Sequence, residues 1–169
     1  GIKMANPNKK VIVVGGDGTL NEVVNGIFTQ AHVPTTKITL AMIPVGTGND
    51  WCRMFNIPAD YKQAIKLIKN NKIFTQDAGT IKYISAEGKE ITRYFINMAG
   101  MGFDALVAKK TNKQKDEGKG NPLSYVYNIL SSLFSYSITK VTILLDNEKV
   151  TSDIFSMSVG ICQYNGGGM

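Results

Sequence analysis

Residues 11–27 read VIVVGGDGTLNEVVNGI, and the pattern changes twice within this stretch. A run of β-branched apolar residues predicts a strand over residues 11–14, and a glycine-rich loop follows it. A helix is then predicted over residues 20–28, because four apolar residues recur at the spacing of one buried helical face: Leu20, Val23, Val24 and Ile27. A strand, a glycine loop and a helix in this order are typical of a phosphate-binding site.

The glycines of this loop favour an anion close to the backbone. Amide groups in the first turn of a helix have no partner within the helix and lie at the positive end of its dipole. Gly15, Gly16 and Gly18 have no side chain, so the backbone can approach a phosphate group closely. The stretch therefore predicts a phosphate-binding loop.

Asp17 is the unexpected residue of the loop. A carboxylate repels a phosphate unless a divalent cation lies between them, so Asp17 argues for a metal–nucleotide complex as the ligand. A structural interpretation is also open, because Thr19 and Glu22 have the spacing of a capping box, in which Thr19 caps the helix and Glu22 reaches back. Thr19 is expected both to cap the helix and to take part in ligand binding, and Glu22 is expected to serve one of these two roles.

A second apolar strand, predicted over residues 38–43, also runs into a glycine loop. This loop reads PVGTGND over residues 44–50, and a helix is expected to begin directly after it. Two such strands predict a parallel sheet with both loops at its carboxyl edge, where sheets of this kind bind ligands. Taken alone, the second loop is explained by a helix cap at Asn49 or Asp50. Two loops of this kind after successive strands favour a binding site that includes Gly46 and Thr47.

Shorter elements are predicted in the rest of the chain. Asp60 is expected to cap a helix that buries Tyr61, Ala64, Ile65 and Ile68. Strands are then predicted over residues 73–75, 81–84 and 91–98, a helix from Phe103, a polar linker over 111–121, a helix over 122–136, and a hairpin over 139–162.

The predicted fold class is α/β, with a domain boundary near residue 70. Residues 1–70 are expected to form a three-layer parallel-sheet nucleotide-binding domain, and residues 71–169 part of a β-rich, sandwich-like second domain. The first is expected to be incomplete at its N-terminus, because residues 1–10 read as the tail of a preceding element. The second is expected to be incomplete at its C-terminus, because the chain ends in a glycine loop that nothing is expected to anchor.

Composition limits the partners and the compartment. Among 169 residues, 19 Lys and Arg against 13 Asp and Glu give a net charge of +6, which favours an acidic partner without choosing among nucleotides, nucleic acid and an anionic membrane. Cys52 and Cys162 lie far apart in sequence, so neither a disulfide framework nor, with one His, a zinc site is predicted. No run reaches the roughly 18 apolar residues of a membrane span, so any membrane contact is expected at the surface.

The two loops together resemble a known family. Residues 15–26, GGDGTLNEVVNG, and residues 43–50, IPVGTGND, are similar to motifs of the bacterial diacylglycerol kinases and the sphingosine-kinase-like lipid kinases. Three later segments look like further landmarks of that family: QDAG at 76–79, FINMAG at 95–100 and NGGGM at 165–169. The GGDGT core is shared with NAD kinases, whereas the attached LNEVVNG resembles the lipid kinases.

The resemblance implies a lipid kinase that transfers the γ-phosphoryl group of Mg-ATP to the hydroxyl of diacylglycerol or a related lipid alcohol. It implies ATP and Mg²⁺ as cofactors, with Asp17, Asp50 and Asp77 near a magnesium–water network and Asp17 and Asp50 on the metal. The family's catalytic carboxylate is expected outside this chain. The implied nucleotide-binding residues are Gly15, Gly16, Asp17, Gly18, Thr19, Leu20, Asn21, Glu22, Gly46 and Thr47.

Two alternatives stay open at this point: an NAD kinase-type phosphotransferase and a nucleotide-binding module that does not catalyse. The expected partner is a lipid alcohol and not nucleic acid, and the expected location is the cytoplasm with a peripheral place at the inner membrane surface. Five lysines between 109 and 119 and an apolar stripe over 125–134 are explained by default as a solvated face and core packing. They could instead dock on an anionic membrane. These residues are Lys109, Lys110, Lys113, Lys115 and Lys119, with Tyr125, Val126, Ile129, Leu130, Leu133 and Phe134.

Overall fold

The computed structural model describes residues 9–116 and 122–167, which form a mixed α/β structure. The chain divides into two compact units. The first unit lies within Gly1–Met98 and Gly160–Met169, and the second is Ala99–Val159.

A pair of parallel strands forms the centre of the first unit. β1 (Lys9–Gly15) pairs with β2 (Ile38–Pro44), in a register that places Lys9 opposite Ile38 and Gly15 opposite Pro44. α1 (Asp17–Thr29) follows β1, and a 3-10 turn (Thr35–Lys37) precedes β2. α2 (Asp50–Met54) and α3 (Tyr61–Lys69) follow β2. The predicted parallel pairing is therefore confirmed for these two strands, and both glycine loops leave them at the same end.

The core of the first unit lies on one face of this pair. Side chains alternate between the two faces of a strand, so Val13 is buried against α1 while Ile12 and Val14 are 51% and 60% exposed. Residues from distant parts of the chain complete the same core: Leu20, Val24, Met42, Trp51, Cys52, Ile96 and Cys162.

An antiparallel hairpin of the first unit is fastened to α1. β3 (Gly79–Ile84) and β4 (Glu90–Phe95) are joined by a turn in which Gly88 has a φ of +75°. The buried side chain of Asn25 donates to the carbonyl of Tyr94 at 2.8 Å and accepts from its N–H at 2.9 Å. Phe28 stacks on the Tyr94 ring at 4.8 Å between centroids. The amide of Asn25 thus pairs with β4 as a neighbouring strand would.

The second unit contains two helices and two pairs of strands. Its elements are β5 (Met98–Gly102), α4 (Phe103–Asp116), α5 (Pro122–Ser135), β6 (Thr139–Leu145), β7 (Glu148–Ile154) and β8 (Ser156–Gly160). β5 pairs with β8, β6 pairs with β7, and α4 packs against α5. The rings of Phe103, Tyr136 and Phe155 form a cluster with centroids 4.6 to 5.8 Å apart. Within the described ranges, no helix has the length and apolar character to cross a membrane.

The predicted capping box is wrong. The N-cap of α1 is Gly16, without a side-chain cap bond, and the carbonyl of Gly16 accepts the first helical hydrogen bond from Leu20 at 3.0 Å. The helix therefore begins before Thr19, which lies inside its first turn, and Glu22 forms an ion pair with Arg93. A capping box needs its Thr on the flanking residue, not within the helix.

Three other expectations are corrected. Residues 73–75 form a loop with exposed Ile73 and Phe74, so the strand predicted there is absent from the described structure. The strand predicted over 91–98 is divided at residues 96–97, where β4 ends and β5 begins. The predicted linker is helical as far as Asp116, and residues 117–121 lie outside the described ranges.

The cap of α3 is confirmed, but its buried face is narrower than predicted. Asp60 accepts a hydrogen bond from the N–H of Gln63 at 2.8 Å. Ala64 is buried and Ile68 half-buried, whereas Tyr61 and Ile65 are exposed.

The domain boundary was predicted near residue 70, but this residue lies inside the first compact unit. Segments beyond it complete the same core, because Gln76 accepts from the indole of Trp51 at 2.8 Å and donates to the carbonyl of Ile96 at 2.8 Å. A division of the complete protein into domains at residues 1–70 and 71–169 stays a prediction.

Replacing Asn25 with alanine is expected to lower the free energy of unfolding by about 2 to 3 kcal/mol, because it leaves the N–H and carbonyl of Tyr94 without their partner. Urea unfolding followed by circular dichroism measures the change. Asn70→Ala, at the exposed end of α3, is the matched control and should change stability by less than about 0.5 kcal/mol. Equal effects of the two substitutions would contradict a special role for Asn25.

Candidate functional site

The two glycine loops touch backbone to backbone. A Cβ atom on Gly46 would lie 2.6 Å from the Cα of Gly16, and a Cβ on Gly16 would lie 3.1 Å from the Cα of Gly46. The N–H of Val45 also donates to the carbonyl of Gly15 at 2.9 Å. Glycine is required at this contact for space, so the loops form one continuous surface at the carboxyl ends of β1 and β2.

Asp17 links the first loop to the helix that follows the second. Its carboxylate accepts hydrogen bonds from the N–H of Asp50 at 3.1 Å and from the N–H of Trp51 at 3.2 Å. The flanking residue of α2, Asn49, makes no side-chain cap bond. Asp17 therefore caps α2 from a distant position in the sequence, and the amides of that helix stabilise its charge. The presence of this carboxylate does not by itself require a cation.

Asp50 is buried, and its carboxylate also accepts a hydrogen bond from a backbone N–H. The N–H of Gly167 lies 3.0 Å from both carboxylate oxygens. Gly166 and Gly167 reach this position with φ values of +61° and +93°. Arg53 is more distant, with its Nε 3.9 Å from Asp50 Oδ1. The glycine segment near residue 167 is thus part of the site.

The remaining predicted residues have different environments. Gly18, Thr19 and Thr47 are exposed on the loops, where a ligand can reach them. Leu20 is buried in the core, Asn21 is half-buried, and Glu22 faces Arg93.

A hydrogen bond joins Asp17 to the N–H of Asp50, and among the described residues the three carboxylates do not form a group that could hold a metal ion. Asp77 is exposed in the loop before β3. Among the residues described, no hydrogen bond joins it to Asp17 or Asp50. The roles of all three carboxylates stay predictions.

The contacts of two asparagines were not predicted from the sequence, and the side-chain cap considered for Asn49 is absent. Asn49, with a φ of +53°, donates to the carbonyl of Gly46 at 2.6 Å and holds the second loop closed. Asn97 donates to Asp17 Oδ1 at 3.3 Å. Asn97 lies within a landmark of the resemblance, but no local spacing connects position 97 with position 17.

The two free cysteines beside the site are buried. Burial, and after it the charge of Asp17, raises the pKa of Cys52 to about 11. The same two causes raise the pKa of Cys162 to about 11. Because the thiolate is the nucleophilic form, neither cysteine is suited to nucleophilic catalysis near neutral pH.

The oxygen atoms of the site fit a cation that arrives together with a phosphate ligand. Over residues 9–116 and 122–167, no three His, Cys, Asp or Glu side chains come together as metal ligands. Asp17 and Asp50 nevertheless retain acceptor capacity, and Mg²⁺ is commonly held by one or two carboxylates plus substrate phosphates and waters. The exposed loop amides beside them suit the phosphates of such a complex.

Comparison with known proteins adds to this geometry. Residues 3–81 match the family model described as the diacylglycerol kinase catalytic domain. These residues belong to the diacylglycerol kinase catalytic domain family. The matched segment contains both glycine loops together with Asp17, Asp50 and Asp77.

Two proteins that are similar over a longer part of the chain are diacylglycerol kinases. The chain is 31% identical over 151 residues to a diacylglycerol kinase of Staphylococcus haemolyticus and, likewise, to one of Staphylococcus carnosus. Each match covers 89% of this chain, together with 42% of the first protein and 45% of the second. A crystal structure of a diacylglycerol kinase from Bacillus anthracis is similar over 94% of this chain and 44% of its own, with 25% identity and a TM-score of 0.55. The chain thus spans less than half the length of these relatives.

The contact between the two glycine loops is testable with a pair of glycine substitutions. Gly46→Ala is expected to lower the free energy of unfolding by about 1 to 3 kcal/mol, because the added methyl group meets the backbone of Gly16. Gly18→Ala is the control, since a Cβ at Gly18 meets no atom within 4 Å. Urea unfolding measures both, and a Gly46→Ala protein as stable as Gly18→Ala would show that the loops do not touch.

Proposed function

We propose that the protein is an ATP-dependent lipid kinase, which transfers the γ-phosphoryl group of Mg-ATP to the hydroxyl of diacylglycerol or a related lipid alcohol. The observation that carries this proposal is the contact of two glycine loops beside Asp17 and Asp50, within a segment of the diacylglycerol kinase catalytic domain family. Phosphoryl transfer depends mostly on positioning and on stabilising charge, which this combination of amides and carboxylates supplies.

The proposed nucleotide site is the surface of the two loops, residues 15–22 with Gly46 and Thr47. Gly18, Thr19 and Thr47 are exposed, so their amides and hydroxyls are accessible to phosphate oxygens. Leu20 would contribute through its position in the core, which fixes the first turn of α1 below the loop. The interlocked glycines keep the two halves of the site at a constant separation.

The proposed metal residues are Asp17 and Asp50, with Asp77 nearer to the solvent. A bound magnesium ion would neutralise charge on the phosphates during transfer. Asp17 is oriented by the amides of α2 and Asp50 by the N–H of Gly167, so both carboxylates are held before a ligand arrives. Such preorganised charges need no rearrangement during the reaction.

For the complete protein we expect a larger architecture. The parallel pair of β1 and β2 is proposed as part of a three-layer α/β nucleotide-binding domain, followed by a β-rich second domain. The parallel register and the placement of α1 support the first part of this proposal, and the strand pairs β5–β8 and β6–β7 support the second.

The activity is tested by transfer of radiolabel from ATP to a lipid extract by the complete polypeptide. Asp17→Asn keeps the size of the side chain but removes its charge, and it is expected to lower the rate of labelling by about 100-fold or more. Asp153→Asn, on the exposed face of β7, is the matched control and should leave the rate unchanged. Labelled NADP without labelled lipid would instead identify an NAD kinase, and no transfer at all would sink the enzyme hypothesis.

A membrane surface is proposed as a transient partner because α5 exposes apolar side chains. Core packing was the default interpretation, yet Leu130 and Leu133 are about half exposed and Phe134 is 89% exposed. The side chains of Tyr125 and Val126 lie outside the description. Lys109 is exposed on α4, and Lys110 donates to Ser131 of α5 at 3.5 Å, so positive charge lies beside this apolar surface. Apolar area together with lysines suits an anionic bilayer.

Charge reversal tests this partner. Lys109→Glu together with Lys110→Glu is expected to weaken binding of the complete polypeptide to phosphatidylglycerol vesicles at least about tenfold at low salt, because each basic residue contributes on the order of 1 kcal/mol near such a surface. Lys66→Glu with Lys69→Glu on α3 changes the net charge equally and is the control. Vesicle sedimentation that shows equal binding of both double variants would rule out this surface.

A further inference from the structure

Asn97 lies at the bend between β4 and β5, and its backbone is held firmly. Its carbonyl accepts hydrogen bonds from the N–H of Ile161 at 2.9 Å and of Cys162 at 3.1 Å. The carbonyl of the preceding residue, Ile96, accepts from the side chain of Gln76 at 2.8 Å. These hydrogen bonds fix the backbone from which the side chain of Asn97 extends.

The amide nitrogen of Asn97 points to Asp17. It donates to Asp17 Oδ1 at 3.3 Å, the same oxygen that accepts from the N–H of Trp51. The reverse orientation of the amide would place its oxygen against the carboxylate, which is repulsive. Asp17 is thus oriented from two sides, by the start of α2 and by Asn97.

The amide oxygen of Asn97 is buried and accepts no hydrogen bond from any residue in the described part of the chain. Leaving such an oxygen without a donor costs about 1 to 3 kcal/mol, and folded proteins rarely retain one without a reason. A bound group that offers a donor would satisfy it.

The surroundings favour one kind of donor. Asp17 is in direct contact with Asn97, and Asp50 is joined to Asp17 through its own N–H. Two carboxylates attract a cation and disfavour an anion, which in any case carries no donor. Mg²⁺ keeps several of its waters when it binds proteins, and a water bound to a cation donates hydrogen bonds outward.

We propose that Asn97 is a positioning residue of this site, whose amide nitrogen orients Asp17 and whose amide oxygen accepts a hydrogen bond from a water molecule of a bound divalent cation. This inference rests on the proposed function, because it concerns the cation that accompanies ATP. It adds a neutral residue to a site whose predicted members on the metal are carboxylates.

The test is binding of Mn²⁺ alone to the complete polypeptide, measured from the electron paramagnetic resonance signal of the free ion. Asn97→Ala is expected to weaken binding at least about tenfold, as is usual when an outer partner of a metal site is lost. Asn97→Gln keeps both an amide nitrogen that can donate to Asp17 and an amide oxygen that can accept, so it should bind Mn²⁺ more tightly than Asn97→Ala does. Asn70→Ala, the exposed control, should bind Mn²⁺ unchanged.

Four outcomes overturn the inference. The first is failure of the unsubstituted protein to bind Mn²⁺, and the second is equal affinity for Mn²⁺ in Asn97→Ala. The third is a loss of affinity in Asn97→Gln as large as in Asn97→Ala. The fourth is an Asn97→Ala protein that binds Mn²⁺ normally but has lost affinity for ATP, measured in the presence of EDTA. The last would assign the donor to the nucleotide. If urea titrations show that Asn97→Ala does not fold, Asn97→Ser takes its place in the comparison with Asn97→Gln.

The same measurements separate this inference from the lipid kinase proposal. The polypeptide could bind Mn²⁺ in a way that depends on Asn97 and yet label no lipid. This result would support the inference and contradict the lipid kinase proposal. If the polypeptide labels lipid but its affinity for Mn²⁺ does not depend on residue 97, the lipid kinase proposal is supported and the inference is contradicted.

Discussion

The carboxylate of Asp17 is the group on which the rest of the site depends. It stands at the start of α1, yet it accepts the first free amides of α2, at 3.1 and 3.2 Å. Helix ends must find partners for these amides, and a five-residue helix has little stability of its own. Asp17 therefore fixes where α2 begins, and the position of Asp50 follows from it.

This arrangement requires the two loops to approach more closely than side chains allow. The contact between Gly16 and Gly46 leaves no room for a Cβ, and Asn49 adopts a positive φ to close the second loop with its own side chain. A surface formed in this way presents the backbones of two loops side by side. The glycines thus serve contact between the loops as much as access for a ligand.

Hydrogen bonds hold α1 at two points along its length. Asp17 at its start is bonded to Asn97, and Asn25 farther along it is paired with Tyr94, only three residues before Asn97 in the chain. β4 and the bend that follows it therefore contact α1 at two points. Buried hydrogen bonds of this kind give a site its geometry before any ligand binds, which is the condition for electrostatic catalysis.

The sequence by itself determined the parallel strands, the two glycine loops, the helices after them and the family of residues 3–81. These features are local, because the periods of apolar residues and the positions of glycines are set by neighbours along the chain. The capping box failed because Thr19 and Glu22 match a local pattern that an earlier helix start removes. Tertiary structure alone decided that Asp17 caps α2, that Gly167 reaches Asp50, and that Asn97 joins Asp17. These partners are separated by 33 to 117 positions, and only the packing of a common core brings them within hydrogen-bonding distance.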